Sequence, residues 1–333
     1  MKIRENVKIS ELTTMRLGGE ARYVIEVEEF EDVRNAYAFA KEHGVATYVL
    51  GGGSNVIGRD EGFDGAILVN KLRGFEDLGE GRFKGYGGEI FDDFIEFTVE
   101  RGYSGMEAMS AVPGTLGAAP VQNVGAYGQE MSGVLESVEA YGTQEDGVVN
   151  FTTDKMKLGY RQSIFNYGAD AGRYFIISVT VKLKKDELKP PFYTSLQQYV
   201  EDHHVTDFSP ASIRRMVMDI RAYKLPDPRQ EASAGSFFKN VYLKPEEVAE
   251  MEAKGVPVWP GGKVPAGWLI ENAGLKGKEF FGFKVSDKAA LILINESAKS
   301  YADLAKARQA IADAVREKFG LSLEQEPVEI SSN

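Results

Sequence analysis

The sequence contains no cysteine and only three histidines, so several kinds of chemistry are missing from it. Disulfide bonds, thiolate metal ligands and cysteine nucleophiles all require a cysteine sulfur. His43 stands alone, and the neighbours His203 and His204 lack further ligand-type residues at metal-binding spacing. We therefore expect the three histidines in surface or loop positions, and no metal site.

Long apolar runs and an excess of positive charge are also missing. No run approaches the roughly 18 apolar residues of a membrane-spanning helix, and residues 1–6 are too polar to begin a secretion signal. The formal net charge of -11 argues against nucleic-acid binding, which needs clustered Lys and Arg. We expect a soluble, cytoplasmic protein whose partners are small molecules rather than membranes or nucleic acids.

Two segments are unusually rich in small residues. Residues 110–128 carry no charge, in a chain of which 27% of residues are charged, and glycine and alanine recur through them. Residues 51–55, Gly-Gly-Gly-Ser-Asn, follow an apolar run at 45–50. A backbone without side chains can approach a flat or phosphorylated ligand and offer it N–H groups. The two segments together predict one elongated ligand that is held at two places.

The chain of 333 residues exceeds the roughly 250 to 300 residues of a single core, and its hydrophobic periodicity alternates between strand and helix. No Rossmann or Walker A signature accompanies that alternation. We predict three α+β domains: residues 1–70 joined by the tail 320–333, residues 71–208, and residues 209–319. Residues 184–207 have weak periodicity and are predicted to form a long excursion or lid. The main predicted strands are 22–27, 45–50, 134–141, 174–183 and 289–295, and the main predicted helices are 29–43, 90–101, 299–319 and one opened by Ser209 and Pro210.

Five motifs occur in an order that resembles one enzyme family. They are GGGSN at 51–55, the segment 110–128, GYRQSIF at 159–165, KLPDP at 224–228 and AGSFFKN at 234–240. Together they resemble the UDP-N-acetylenolpyruvoylglucosamine reductases of the long-loop subgroup, over nearly the whole chain. The resemblance implies an α+β fold of the vanillyl-alcohol-oxidase type, in which non-covalent FAD lies between two α+β domains and a third α+β domain binds the substrate.

The resemblance also implies the reaction. NADPH, as co-substrate, would deliver hydride to N5 of FAD, and the reduced flavin would pass it to C3 of the enolpyruvyl group of a UDP-sugar. Protonation at C2 would then give UDP-N-acetylmuramate for peptidoglycan synthesis, on which cell shape and division depend. The flavin would carry the difficult chemistry, while the protein orients, polarises and protonates the substrate.

Three residues match the catalytic positions of that family. Hydride addition pushes negative charge onto the substrate carboxylate, and Arg161 is a permanently charged donor suited to it; from the residue alone, a structural salt bridge is the simpler interpretation. Ser236 is the implied proton donor to C2, where a turn cap is the alternative. Glu326 is the implied carboxylate that polarises the enol or orients the arginine. Glu324 stays open as a lesser candidate, because the tail lacks the family's usual proline spacing.

The remaining site residues are implied by their motif positions. Lys224 is the favoured cation, because Pro226 and Pro228 stiffen the chain beside it. Tyr193 matches the lid tyrosine of the family, with Tyr199 open as the alternative. The predicted substrate set is Tyr193, Arg221, Lys224, Asn240 and Lys276, with Lys239 as a further candidate cation. The predicted FAD set is Gly51, Gly52, Gly53, Ser54, Asn55, Thr115, Gly117, Ala118, Gln122, Asn123 and Gly125.

Two other functions stay open. An alcohol or sugar oxidase of the same fold would pass electrons to oxygen, although the chain has no cysteine for covalent flavin attachment and its 234–240 block matches the reductase. A non-catalytic nucleotide-binding module would hold a ligand without turnover. For each function we expect a monomer.

Overall fold

A computed structural model describes residues 1–330 of the chain. None of the helices in this part of the chain is long and apolar enough to cross a membrane. The predicted helices at 29–43, 90–101 and 299–319 are present with slightly different ends. The seven α-helices of the described residues are α1 (Phe30–Glu42), α2 (Phe91–Val99), α3 (Thr194–Asp202), α4 (Pro210–Lys224), α5 (Pro245–Ala253), α6 (Ala266–Asn272) and α7 (Tyr301–Phe319).

The strands form two four-stranded sheets, one five-stranded sheet and three strand pairs within residues 1–330. Their bounds are β1 (Lys2–Lys8), β2 (Glu20–Val27), β3 (Ala46–Leu50), β4 (Val56–Gly58), β5 (Phe63–Asn70), β6 (Phe75–Gly79), β7 (Arg82–Tyr86), β8 (Gly125–Ala126), β9 (Gln129–Glu130), β10 (Leu135–Gly142), β11 (Gly147–Thr152), β12 (Tyr174–Lys182), β13 (Ala232–Ser236), β14 (Val241–Tyr242), β15 (Lys263–Val264), β16 (Glu279–Phe280), β17 (Phe283–Val285), β18 (Ile292–Asn295) and β19 (Val328–Ile330). The strand predicted at 289–295 is shorter than expected and begins at Ile292.

The chain divides into two compact units. The first unit comprises residues 1–7, 21–52 and 64–222, and the second comprises residues 8–20, 53–63 and the chain from Tyr223 onward. The division into domains at 1–70, 71–208 and 209–319, with the tail 320–333, stays a prediction. Residues 331–333 of that tail lie outside the described residues.

In the first unit, β3 pairs in parallel with β5 in a sheet of order β1-β2-β5-β3. Leu50, at the end of β3, is opposite Val69, so the chain leaves this sheet at the carboxyl edge of two parallel strands. The second sheet, of order β11-β10-β12-β7-β6, packs with α2 around completely buried rings that include Phe83 and Phe94. Each such buried ring stabilises the unit by roughly 1.5–3 kcal/mol.

In the second unit, a sheet of order β13-β18-β17-β16 shares one hydrophobic core with α7. Helix α7 begins after Ser300, whose Oγ accepts a hydrogen bond from Asp303 N–H at 3.1 Å, and ends at Gly320 with a φ of +75°. The periodicity of residues 299–319 predicts an inward stripe of Tyr301, Leu304, Ala307, Ile311 and Val315. The last four are buried as predicted, and Tyr301 is half-buried.

Within the predicted excursion or lid at 184–207, helix α3 occupies Thr194–Asp202. Only Leu196 and Val200 of this short helix are buried, which explains why its periodicity is weak in the sequence. They pack on the face of α4. Helical spacing in the sequence predicts a buried stripe on that helix, and the structure confirms it: Ile213, Met216, Val217 and Ile220. The start of α4 is also as predicted, since Ser209 O accepts from Ile213 N–H at 2.9 Å.

Candidate active site

In the first unit, the start of the glycine loop packs directly against the segment 110–128. A Cβ atom on Gly51 would lie 2.5 Å from Thr115 Oγ1, and a Cβ atom on Gly52 would lie 3.0 Å from Gly114 Cα. These approaches leave no room for side chains. The tertiary fold therefore brings two small-residue segments that are distant in the sequence onto one surface.

Thr115 Oγ1 is buried beside Gly51 and forms no hydrogen bond within residues 1–330. An unsatisfied buried hydroxyl costs about 1–3 kcal/mol, so such a group usually has a ligand, ion or water as its partner. The backbone behaves differently: Gly117 N–H donates to Gly87 O at 2.9 Å, and Ala118 N–H donates to Thr115 O at 3.0 Å. The N–H groups at these two positions are therefore bonded to the protein, and the small residues there allow close approach of a ligand to the backbone.

The second half of the glycine loop is tied to the strand that carries Ser236, within the second unit. Gly53 has a φ of +65°, and a Cβ atom there would lie 2.1 Å from Leu12 O. Gly53 O accepts from Thr14 N–H at 3.1 Å, while Thr14 Oγ1 donates to Ser233 O in β13 at 2.6 Å. Beyond Ser54, Asn55 O accepts from Val328 N–H at 3.0 Å. The loop is thus fixed by its own backbone and by Thr14.

A β-bulge sets the direction of Ser236. In the antiparallel pairing of β13 with β18, Ser233 is opposite Ile294 and Ser236 is opposite Ile292, so β13 carries one extra residue. Gly235 has a φ of +70°, the left-handed conformation found at such bulges. Ser236 is half-buried and ends the strand. The bulge turns its hydroxyl away from the regular alternation of the strand.

Glu326 lies on the segment that runs beside residues 236–239 in the second unit. Its N–H donates to Phe237 O at 2.9 Å, and Lys239 N–H donates to Glu324 O at 2.8 Å. The side chain of Glu324 is 75% exposed and forms an ion pair with Lys239, whereas Glu326 is half-buried. This register favours Glu326 over Glu324 as the partner of Ser236.

The other predicted polar residues of the second unit are partly engaged by the protein itself. Asn240 Oδ1 accepts from Ala266 N–H, the first residue of α6, at 3.1 Å. Lys276 forms an ion pair with Glu271 at 2.8 Å. Lys224 is the half-buried last residue of α4. Of the two lysines, Lys276 is the one that the protein already pairs with a carboxylate.

In the first unit, Arg221 is buried against the segment 110–128. Its Nε donates to Ala111 O at 3.2 Å, and Tyr127 lies close enough to interact electrostatically with its guanidinium. Burial lowers the pKa of Arg221, and the neighbouring Tyr127 opposes that shift. The Tyr127 ring meets Tyr193 edge to face with the ring centres 5.9 Å apart. Tyr127 therefore joins two residues of the predicted substrate set.

Arg161 lies in a tight turn of the first unit, and its guanidinium is 5.3 Å from the centre of the Tyr160 ring. Asn123, predicted to contact the cofactor, is buried and bonded to the protein backbone on both sides of its amide. Gln122 is half-buried, and Gly125 pairs with Glu130 between β8 and β9. The side chain of Asn123 therefore connects the segment 110–128 to the turn that contains Arg161.

Four supporting residues were not found by sequence reasoning. Thr14 and Tyr127 contact partners far away in the sequence. Asp92 accepts from Ala111 N–H at 2.6 Å and pairs with the Arg214 guanidinium, whose side chain is 9% exposed. Asn166 alone carried a usable signal, because it directly follows the GYRQSIF motif and a side-chain amide there can bond a nearby turn.

The histidines are on the surface as predicted. His43 Nδ1 lies 2.8 Å from Phe39 O, His203 Nδ1 lies 3.0 Å from Tyr199 O, and His204 is also exposed. Across residues 1–330, no three or more side chains of metal-ligating type form a cluster. The arrangement therefore offers a small-residue surface, a hydroxyl and carboxylates, rather than a set of metal ligands.

Two family profiles match the chain. The profile described as FAD binding domain matches residues 21–145. The profile described as UDP-N-acetylenolpyruvoylglucosamine reductase, C-terminal domain, matches residues 227–330. The first match includes all of the predicted cofactor residues, those at 51–55 as well as those at 115–125. The second includes Ser236 and Glu326.

Curated relatives are similar over nearly the full length. The UDP-N-acetylenolpyruvoylglucosamine reductase of Pseudomonas aeruginosa is 32% identical over 338 residues, covering 98% of each chain. That of Pseudomonas putida is 35% identical and covers 97% of this chain and 98% of its own. Among solved structures, the reductase from Thermus caldophilus superposes with a TM-score of 0.67 at 23% identity, over 99% of this chain and 100% of that chain. The predicted α+β fold is thereby confirmed.

Proposed function

The chain belongs to the UDP-N-acetylenolpyruvoylglucosamine reductase family, and we propose that it reduces UDP-N-acetylglucosamine enolpyruvate to UDP-N-acetylmuramate with NADPH as co-substrate. The predicted family, the enzyme class and the role in peptidoglycan synthesis are confirmed. The mechanistic proposal rests on one observation: Ser236 and Glu326 lie on neighbouring segments of the chain, which are joined where Phe237 O accepts from Glu326 N–H at 2.9 Å.

FAD is the cofactor of this family fold, and the described residues fit it. Thr115 has a buried hydroxyl without a protein partner in residues 1–330, and the Gly51 and Gly52 backbones admit no side chain beside it. We assign Gly51 to Asn55 to its diphosphate, and Thr115, Gly117, Ala118, Gln122 and Gly125 to the rest of the molecule. Asn123, also in the predicted cofactor set, is left out of this assignment because both ends of its amide are bonded to the protein. When bound, FAD supplies the hydride-transfer chemistry that no side chain can provide.

The substrate requires a cation where charge develops. Addition of hydride to C3 of the enolpyruvyl group leaves negative charge on C2 and its carboxylate. In the proposal, Arg161 donates to that carboxylate through its fixed planar fork. Such an interaction strengthens as the charge forms, and it therefore accelerates the reaction rather than only tightening binding.

The proton at C2 comes from Ser236 in this proposal. The C2–H bond forms as the Oγ–H bond breaks, and solvent water then returns a proton to the serine oxygen. A serine hydroxyl is a weak acid, so the transfer needs a stronger base, which the substrate carbanion is. Glu326, on the adjoining segment, would polarise the developing enol.

We assign Tyr193, Arg221, Lys224, Asn240 and Lys276 to substrate binding. Lys224 would pair with the diphosphate. Arg221 already donates to Ala111 O, and Asn240 Oδ1 accepts from Ala266 N–H at the start of α6, so the protein already orients both side chains. Lys276 would have to exchange Glu271 for the substrate.

Tyr193→Phe is expected to weaken UDP-sugar binding by about tenfold, because one hydrogen bond to a charged group is worth roughly 1.5–3 kcal/mol. Burial raises the pKa of Tyr193, which keeps its hydroxyl protonated as a donor. Tyr199→Phe is the matched control, since the Tyr199 hydroxyl already donates to Asp219 at 2.8 Å. Titration of the sugar by fluorescence measures both affinities, and a larger loss for Tyr199→Phe would reassign the lid tyrosine.

Gly117→Ala is expected to lower the free energy of unfolding by about 2 kcal/mol and to reduce FAD retention, because overpacking a filled site costs roughly 1–3 kcal/mol. The added Cβ would lie 2.8 Å from both Gly87 Cα and Gly87 O, which are backbone atoms that cannot move aside. Gly133→Ala is the control, since no described atom comes within 4 Å of a Cβ there. Urea unfolding and FAD dialysis measure both effects, and equal behaviour of the two variants would contradict the prediction.

The reaction itself is tested with one spectrum. The purified protein with FAD should lose its visible flavin absorbance on addition of NADPH and regain it anaerobically on addition of the enolpyruvyl sugar. Recovery with oxygen but not with the sugar would favour an oxidase, and failure to retain FAD would reject the cofactor assignment.

We propose a monomer as the working unit. We place the reaction in the cytoplasm, where NADPH and UDP-sugars are available. Mass photometry of the FAD-loaded protein and fractionation of the source cells test these two assignments.

A further inference from the structure

The turn that carries Arg161 is closed and strained. Gly159 N–H donates to Gln162 O at 2.9 Å and Gln162 N–H donates to Gly159 O at 3.2 Å, so Tyr160 and Arg161 form a two-residue turn. Arg161 has a φ of +56°, in the left-handed region. A residue with a side chain is strained in that conformation, which persists only where the surroundings hold it.

Two asparagine side chains hold this turn in the same manner. Asn123 Oδ1 accepts from Ser132 N–H at 2.8 Å, and its Nδ2 donates to Gly159 O at 3.2 Å. Asn166 Oδ1 accepts from Ser163 N–H at 2.8 Å, and its Nδ2 donates to Arg161 O at 3.1 Å. Reversing either amide would point NH2 at an N–H group, so the bonding network defines both orientations.

The chain after the turn is anchored as well. Ser163 Oγ donates to Val121 O at 2.7 Å and accepts from Phe165 N–H at 3.1 Å. Asn123 is 3% exposed and Ser163 is 1% exposed, so these bonds are shielded from water. The backbone on both sides of Arg161 is therefore fixed to the segment 110–128, and the direction in which its side chain leaves the backbone is fixed with it.

We propose that Asn123 and Asn166 are positioning residues for Arg161, acting through the carbonyls of Gly159 and Arg161. The inference rests on the proposed function, because it takes Arg161 as the group that receives the developing negative charge. An arginine has a long, flexible side chain, and a displacement of about 1 Å at a reacting group can cost on the order of 100-fold in rate. Because the two asparagines hold the carbonyls of the turn, motion of the backbone adds little to the displacement of the Arg161 guanidinium.

Asn166→Asp and Asn123→Asp test the proposal with nearly no change of shape. Each keeps the acceptor oxygen and removes the NH2 donor. We expect kcat for reduction of the enolpyruvyl sugar to fall by about tenfold or more, with KM for the sugar and the rate of flavin reduction by NADPH within about twofold. If Asn123→Asp does not fold, Asn166→Asp, at a half-buried position, carries the test alone.

Low pH should partly restore the kcat of Asn166→Asp and Asn123→Asp. A protonated carboxyl group has an O–H donor that can replace the lost NH2, so the ratio of variant kcat to parent kcat should rise as the pH falls through the pKa of the introduced group. Asn272→Asp is the matched control, because Asn272 Nδ2 also donates to a backbone carbonyl, Trp268 O at 2.9 Å, on the exposed end of α6. Its kcat ratio should stay near one at every pH, and a flat ratio for Asn166→Asp would overturn the proposal.

A double-mutant cycle with Arg161→Lys separates the possible failures. If Asn166 acts through Arg161, Asn166→Asp should have little further effect in the Arg161→Lys background, whereas additive losses would show a general structural role and overturn the proposal. If Arg161→Lys alone keeps full kcat, the assigned role of Arg161 fails and the positioning role fails with it. A loss in Arg161→Lys together with additivity rejects only the positioning role.

Discussion

Ser236→Ala is expected to slow reoxidation of the reduced flavin by the enolpyruvyl sugar by about 1,000-fold, the scale of a lost general acid. Reduction of the flavin by NADPH should stay within about twofold, because that half-reaction needs no proton from the serine. Ser236 is half-buried at the end of β13, so the substitution removes a hydroxyl without opening a core cavity. Anaerobic stopped-flow absorbance follows the two half-reactions separately.

Ser233→Ala is the control for Ser236→Ala on the same strand. Ser233 is 3% exposed and lies opposite Ile294, before the bulge. Its backbone carbonyl, not its hydroxyl, receives the Thr14 bond, so the alanine variant keeps the link to the glycine loop. Both half-reactions should remain close to those of the parent. Equal slowing of the two half-reactions in Ser236→Ala would exclude the serine as the proton donor.

Arg161→Gly is expected to have two effects: it should lower kcat strongly, and it should also raise the free energy of unfolding. Loss of a donor to developing negative charge costs about 100- to 1,000-fold in kcat. The φ of +56° at this position is natural for glycine and strained for arginine. Relief of that strain should raise the free energy of unfolding by about 1 kcal/mol, which urea unfolding of the FAD-free protein can measure.

Arg161→Ala isolates the backbone contribution. It removes the same guanidinium but keeps a side chain at a positive φ, so its catalytic loss should equal that of Arg161→Gly while its stability stays lower by about 1 kcal/mol. If the alanine variant is the more stable of the two, the turn is not strained at Arg161. If either variant keeps the parent kcat, the charge on the substrate is stabilised by another group.

The predictable part of the fold came from periodicity and end signals. The stripe of α7 and the stripe of α4 repeat at helical spacing, and Ser209, Pro210 and Gly320 mark helix ends. Helix α3 was not predicted, because its two buried residues, Leu196 and Val200, are too few to produce a recognisable helical periodicity. Whether a short amphipathic segment folds as a helix depends on the surface it packs against, here α4.

In the candidate site, too, local sequence features could be predicted, whereas features that depend on the fold could not. Residues 51–55, 110–128 and 234–240 stand out in the sequence because small or unusual residue runs are local features. The choice between Glu324 and Glu326 is not local: it depends on the pairing of the tail with residues 236–239, which leaves Glu324 on Lys239. Asn123 gives a second example. The sequence predicts it as a cofactor residue, but the fold supplies its hydrogen-bond partners Ser132 and Gly159.

The sequence by itself therefore determined the family, the α+β class and the types of group available: glycine backbone, serine, arginine and carboxylate, with no cysteine. Only the tertiary structure decided which of those groups are already bonded to the protein and which remain for a ligand. The physical reason is that composition and spacing encode local conformation, whereas hydrogen-bond partners such as those of Thr115, Asn123 and Lys276 depend on segments that meet only after folding.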